Sequence, residues 1–252
     1  MSLPERLSGK TVLVTGATSG IGWATAERLA AAGLHVIGCG RRSERLQQLA
    51  DLIHSKGQLF RSQVCDLRSP ESIQSMFAEI RSVLGGVDIL INNAGLGHNA
   101  PLLSGATEAW REILEVNVLA LCICTREAIS DMRRRGDDGY VIHISSMSAH
   151  RVPGTSGMYS ASKFAVRSLT EGLRQELRAI NSGIRISSIS PGFVETEFAE
   201  RYSGSKEKAQ QTYSRFPVLQ SEDIADQVIH LLGTPSHVQV HDVLMRPTAQ
   251  PS

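Results

Sequence analysis

Residues 11–22 read TVLVTGATSGIG: an apolar, β-branched run from Thr11 to Thr15, then glycines at 16, 20 and 22, then an amphipathic stretch over 21–32. Five residues without a polar face suit a strand buried on both sides. The helical period that follows places the glycines in a strand–turn–helix corner. Gly16 permits the tight turn, Gly20 lets main-chain N–H groups approach an anion, and Gly22 allows the helix to pack against the strand. The first-turn amides of such a helix have no partners within it, and its dipole favours negative charge. Gly16, Thr18, Ser19, Gly20, Ile21 and Gly22 are therefore expected to cradle phosphate. The spacing is GxxxGxG rather than the commoner GxGxxG, and its position in the first strand–helix unit gives it weight.

Outward from this corner, strand-like runs alternate with amphipathic ones to the end of the chain. Strands are predicted at Thr11–Thr15, His35–Cys39, Leu59–Cys65, Ile89–Asn92, Tyr140–Ser145, Arg185–Ile189 and Val240–Met245. Helices are predicted near 21–32, 43–56, 69–84, 107–135, 158–181 and 221–233. Strand–helix alternation with apolar strands predicts a doubly wound, seven-stranded parallel α/β sheet of Rossmann type. No linker or repeat divides the 252 residues, so a single domain over 1–252 is expected. The stretch from Phe193 to Leu219 lacks a clear period, is polar and charged, and follows Pro191-Gly192 at a strand end. It is the candidate substrate lid.

Hydrophobic residues at 41%, charged residues at 20% and a net charge of +1 fit an ordinary soluble globular protein, with no general attraction to nucleic acid or an anionic membrane. The opening MSLPERLSGK lacks the apolar core of a signal peptide, and no run approaches the length of a membrane span. A cytoplasmic location is expected. Cys39, Cys65, Cys122 and Cys124 lie in apolar stretches as buried free thiols, and no His/Cys spacing points to a metal.

The end of the second strand, Cys39-Gly40-Arg41-Arg42, bears on which nucleotide the cradle takes. A dinucleotide site that prefers NAD places a carboxylate here for the adenosine ribose hydroxyls. Arg41 and Arg42 stand there instead, able to grip a 2′-phosphate, so NADP is the expected cofactor.

Tyr159 and Lys163 in Tyr-Ser-Ala-Ser-Lys lie one helical turn apart and share a face. A nearby ammonium stabilises phenolate, and the expectation is that Lys163 brings the tyrosine pKa toward the working range. Ser145 and Ser146 end the preceding strand. With TGATSGIG, Asn92 to Gly95 (NNAG), Asn117 in EVNVLA, YSASK and Pro191-Gly192, the chain resembles the short-chain dehydrogenase/reductase family over nearly its whole length. The resemblance implies four catalytic residues: Asn117, Ser146, Tyr159 and Lys163. Ser146 would bond the substrate oxygen and Tyr159 would exchange its proton while the nicotinamide carries hydride. Lys163 would hold the nicotinamide ribose, and Asn117 would support a water leading to solvent. It further implies that Asp66 and Leu67 flank the adenine, that Asn93, Ala94 and Gly95 lie along the cofactor, and that Pro191, Gly192, Val194 and Thr196 meet its nicotinamide end.

The segments SMSAHRV, SPGFVET and MRPTAQ are similar to a narrower NADP-dependent group that includes animal steroid and dicarbonyl reductases and insect farnesol dehydrogenases. Leu96, Met147, Val152, Met158, Phe193 and Phe198 form a mainly apolar set near the expected site, suited to a bulky ketone or prenyl-type alcohol. Serine or 3-hydroxy acid dehydrogenases are the alternative, with Arg151 and Arg201 as candidate acid-binding cations. A non-catalytic nucleotide sensor is the alternative of another class, disfavoured by the four catalytic side chains. By resemblance the helices near 107–135 and 158–181 pair copies into a homodimer or homotetramer.

Overall fold

A computed structural model describes residues 3–154 and 156–251. Strands β1 (Thr11–Thr15), β2 (His35–Gly40), β3 (Phe60–Val64), β4 (Ile89–Asn92), β5 (Tyr140–Ile144), β6 (Arg185–Pro191) and β7 (Asp242–Met245) form one seven-stranded sheet. Its order is β3-β2-β1-β4-β5-β6-β7, with every neighbouring pair parallel. The order reverses between β1 and β4, and the crevice at the carboxyl ends of strands on either side of such a point is where open α/β sheets bind ligands.

Alternation along the strands explains why the sheet is covered on both faces. Val12 and Val14 pack with Leu29, Ile224 and Val228, from α1 (Gly20–Ala31) and α9 (Ser221–Gly233). Leu13 between them points the other way, into a core with Phe77, Ile123 and Leu177. Those residues come from α3 (Pro70–Leu84), α5 (Ala120–Arg134) and α6 (Gly157–Ala179). Helix α2 (Ser43–Ser55) completes the first face with Leu46, Leu49 and Ile53. Sequence signals fix some helix ends closely. Before α3, the Ser69 hydroxyl accepts the Ser72 N–H at 3.1 Å, Pro70 opens the first turn, and Gly85 closes the helix at φ 76°.

Three expectations need correction. The helix expected over 107–135 is α4 (Thr107–Leu114), a π turn at Glu115–Leu119, and α5. The wide turn centres on Asn117, whose side chain is bonded outside the helix; such π turns gather at functional positions. β3 is shorter than 59–65 and is not buried on both faces, since it is an edge strand with Val64 63% exposed. The 193–219 segment, which showed no clear period, contains two short helices, α7 (Phe198–Ser203) and α8 (Lys206–Tyr213), separated by Gly204 at φ 67°.

Candidate active site

The turn after β1 is closed by main-chain contact. A methyl group at Gly22 would sit 2.3 Å from the Gly16 carbonyl oxygen, and one at Gly16 would sit 2.9 Å from the Ala94 Cα. Asn93 brackets the turn from β4: its side-chain amide donates to the Thr15 carbonyl at 2.9 Å and to that of Gly16 at 3.3 Å. The Thr15 hydroxyl accepts the main-chain N–H groups of Asn93 and Ala94, each at 3.0 Å. Asn93 thus works chiefly on the shape of the turn. Ser19, the residue before α1, makes no side-chain bond to the first turn, which leaves those amides free of a protein cap.

The turn forms one end of a cleft of about 910 Å³. Gly16, Thr18, Ser19, Gly20 and Ile21 line it, whereas Gly22 lies beneath. Asp66 and Leu67 line the side wall, as do Asn93, Ala94 and Gly95. Arg68 bonds the Asp66 carboxylate and, with Arg41 adding charge, keeps its pKa below the ordinary range. Pro191, Gly192, Val194 and Thr196 line the cleft too, with Thr196 against Gly20.

The two arginines after β2 separate. Arg41 is exposed and lines the cleft. Arg42 does not reach the lining: its guanidinium donates to the Thr18 carbonyl at 3.0 Å and the Thr18 hydroxyl, and forms an ion pair with Glu197 at 2.9 Å. The paired clamp read from sequence is, in this conformation, one open cation and one engaged cation. The carboxylate holding Arg42 comes from the 193–219 segment.

Ser146, Tyr159 and Lys163 open on the same cleft. Ser146 follows β5, and its hydroxyl accepts the Ser148 N–H at 3.0 Å, fixing the turn that starts there. Tyr159 and Lys163 lie on the first two turns of α6. The Tyr159 hydroxyl lies within the reach of Ser146. Burial pushes its pKa up to about 12, Ser146 opposes the rise and Tyr202 adds to it. Burial also brings Lys163 down to about 8. The expected lowering of the tyrosine pKa by Lys163 is absent here. The Lys163 ammonium lies 5.8 Å from the Tyr159 ring centre and donates to the Ile144 carbonyl at 3.0 Å, while the Phe198 and Tyr202 rings pack beside the phenol.

Asn117 is buried and does not line the cleft. Its side-chain oxygen accepts the Leu96 N–H and its amide donates to the Leu96 carbonyl, both at 2.8 Å, with a further bond to the Ser162 hydroxyl at 3.0 Å. A methyl group at Gly95 would lie 3.5 Å from the Asn117 oxygen and 3.6 Å from the Lys163 nitrogen. The amide therefore fixes the main chain where the β4 loop passes the lysine.

Residues 10–207 match the family described as short chain dehydrogenase. The chain belongs to that family. The human dehydrogenase/reductase SDR family member 11 is 50% identical over 252 residues, covering 98% of this chain and 97% of that protein. Farnesol dehydrogenase of Aedes aegypti is 39% identical over 250 residues, covering 98% of this chain and 99% of that one. Among solved structures, the closed form of serine dehydrogenase complexed with NADP+ superposes with a TM-score of 0.90 at 33% identity, covering 96% of each chain.

This short chain dehydrogenase is an oxidoreductase by its family, and no helix among its described residues is long and apolar enough to cross a membrane. The apolar set expected around the substrate divides: Leu96, Met147, Phe193 and Phe198 line the cleft, while Val152 and Met158 do not. Arg151 and Arg201 also line it. Sequence reasoning missed Tyr202, Tyr213 and Gln250. The rings of Phe198 and Tyr202 pack on Tyr159 at centre distances of 5.3 and 6.5 Å. The Tyr213 hydroxyl donates to the Thr196 carbonyl at 3.1 Å and accepts the N–H groups of Thr196 and Ala199. The gathering of Phe193, Phe198, Tyr202, Tyr213 and Phe216 in one stretch was the available signal, hidden by the polar residues around them.

Proposed function

We propose that the chain transfers hydride between NADP(H) and a carbonyl compound or secondary alcohol, with Tyr159 as proton donor and acceptor. The observation that carries this reading is the cleft shared by the glycine turn and the Tyr159–Ser146–Lys163 group. The residues fit the cofactor: the turn has no room for a side chain at Gly22, the uncapped amides of α1 suit a diphosphate, and Arg41 presents an open cation for a 2′-phosphate. When bound, the cofactor supplies the hydride. Ser146 orients the substrate oxygen, and the Tyr159 hydroxyl gives it a proton in reduction or removes one in oxidation. Lys163 holds a ribose hydroxyl, and Asn117 is a positioning residue that fixes the Leu96 main chain beside it. Phe193, Phe198, Tyr202 and Met147 give the substrate end an aromatic, apolar wall suited to a bulky ketone or alcohol. The 193–219 segment acts as its lid. The same reading has the enzyme work in the cytoplasm as a homo-oligomer, through the outer faces of α4 to α6.

A serine or 3-hydroxy acid substrate is the second reading. Arg151 favours it, because its Nε is buried with no hydrogen-bond partner among the described residues and its side chain lines the cleft.

Tyr159→Phe tests the mechanism, since it removes only the hydroxyl. Reduction of a bulky ketone, followed by loss of NADPH absorbance, should fall about 10²–10⁴-fold with NADPH binding retained. A near wild-type rate would remove Tyr159 from the chemistry, and a wild type inert toward ketones and hydroxy acids alike would favour a sensor. The pH dependence has a definite sign. Reduction needs the phenol, which a raised pKa keeps protonated, so phenol ionisation should not lower its rate from about pH 6 to 9 and only the titration of Lys163 near 8 should show, whereas oxidation needs phenolate and should climb across that range.

A further inference from the structure

The ending MRPTAQ has no part in the chemistry above, and the fold brings it against the His150-Arg151 end of SMSAHRV at the base of the lid. After β7 the chain turns back on itself, with the Gln250 N–H donating to the Pro247 carbonyl at 3.0 Å. The turn carries Gln250 inward, to 6% exposure, although it stands near the end of the chain. Its side-chain oxygen accepts the Phe193 N–H at 2.9 Å, and the residue lines the cleft beside Phe193. From the SMSAHRV side, Arg151 donates to the Pro251 carbonyl at 3.4 Å, and His150 meets Asp242 of β7 at 3.0 Å.

Phe193 is where the proposed lid leaves the sheet. Its carbonyl accepts the Leu219 N–H at 3.0 Å, and the Leu219 carbonyl accepts the Glu195 N–H at 2.9 Å, so both ends of the segment meet in a two-residue bridge. Just before it, the Gly192 N–H donates to the Met245 carbonyl at 2.7 Å. The Phe193 N–H is thus the one step between the sheet and this bridge that a side chain satisfies. Gly192 is what admits that side chain: a methyl group there would lie 2.2 Å from the Gln250 oxygen. The bond is partly buried, and a main-chain donor that loses its acceptor there forfeits a hydrogen bond, so the hinge and the tail hold each other in place.

We propose that Gln250 is a positioning residue of the active site. Its amide oxygen clamps the hinge of the lid, and the tail from Arg246 onward thereby sets the wall that Phe193, Val194 and Thr196 present to cofactor and substrate. The clamp rests on the proposed function only for its kinetic consequence; the order of the lid can be read without turnover.

The test uses the full chain with Gln250→Leu, which keeps bulk but removes the acceptor, and Gln250→Glu, which keeps an acceptor oxygen. Limited trypsin digestion under native conditions reads lid opening through cleavage after the exposed Arg201, Lys206, Lys208 and Arg215. Loss of the acceptor should speed that cleavage about five- to tenfold, the span of one lost hydrogen bond. It should raise KM for ketone by a similar factor with a smaller change in kcat, and Gln250→Glu should restore both. Wild-type cleavage and kinetics in Gln250→Leu would overturn the clamp. So would a Gln250→Glu protein as impaired as the leucine variant, since the acceptor would then be irrelevant. Should the leucine variant fail to fold, a chain ending at Ala249 gives the same reading: faster lid cleavage supports the clamp and the wild-type rate overturns it. If the wild type reduces no ketone, the proposed function fails while the digestion still decides the clamp.

Discussion

At one end of the cleft the walls are main chain: the Gly16 carbonyl, the amides of α1 and the Asn93 bracket meet within distances that leave no room for a side chain at Gly22. At the other end the walls are side chains hung on 193–219, where Phe198 and Tyr202 pack on Tyr159 and side-chain bonds from Tyr213 and Gln250 help to hold the segment. Main chain packed against main chain gives little when disturbed, whereas a wall of rotatable side chains on a loop can repack or swing. The nucleotide end should therefore respond to substitution in large, abrupt steps and the substrate end in small, graded ones.

Gly22→Ala tests the rigid end most severely. The new methyl group meets a carbonyl oxygen at 2.3 Å, and no flexible side chain is available to move aside except the Asn93 amide, itself bonded to the turn. Opening the turn by overpacking costs about 1–3 kcal/mol, so NADPH affinity measured by calorimetry should fall roughly 10- to 100-fold. An alanine variant binding within threefold of wild type would break the comparison, because the turn would then be as yielding as the lid.

The same contrast governed what the sequence disclosed. A main-chain cradle needs glycine at particular steps beside a strand and a helix, and TGATSGIG carries all of that in eight adjacent residues. The strand–helix alternation was legible for the same local reason, and so was the Tyr159–Lys163 pair, one turn apart on α6. What stayed hidden depends on distant partners. Arg42 is engaged by Glu197, 155 residues away, and Gln250 reaches the Phe193 amide from the far end of the chain. The π turn at Asn117 forms around bonds to Leu96, which no helical period announces. The raised Tyr159 pKa follows from burial, with lid rings packed beside it, and the spacing of tyrosine and lysine says nothing of that.

Arg41→Ala addresses the boundary between the two kinds of wall, an exposed side chain on the rigid end. It faces the cleft, and a charge-assisted bond to a 2′-phosphate is worth about 1.5–3 kcal/mol before screening by solvent. NADPH affinity should fall about tenfold while NADH affinity stays unchanged, narrowing the preference by that factor. An unaltered ratio of the two affinities would mean that Arg42 leaves Thr18 and Glu197 to take the phosphate, and that the rigid end is more adaptable than its packing implies.

The smallest expected effect lies where the two ends touch. Glu197, just before α7, reaches from the 193–219 segment to pair with Arg42 at 2.9 Å, with both side chains about one-third exposed. A pair so open to water is worth about 0.2–1 kcal/mol. Its carboxylate keeps a pKa below the usual range: burial alone would raise it, but the hydrogen bond and charge of Arg42 prevail, so it is ionised at neutral pH. An ionised carboxylate at the proposed phosphate-binding end has two opposed actions. It occupies a cation that a 2′-phosphate wants, and it orients that cation against Thr18. The first should prevail, because three further bonds from Arg42 to Thr18 hold its orientation without Glu197. Glu197→Gln should therefore raise NADPH affinity up to about fivefold, leave NADH affinity unchanged, and lose its effect as salt screens the charges. Weaker NADPH binding in this variant would instead make Glu197 a support for the phosphate site, and the lid would then be part of the nucleotide wall rather than a loop laid against it.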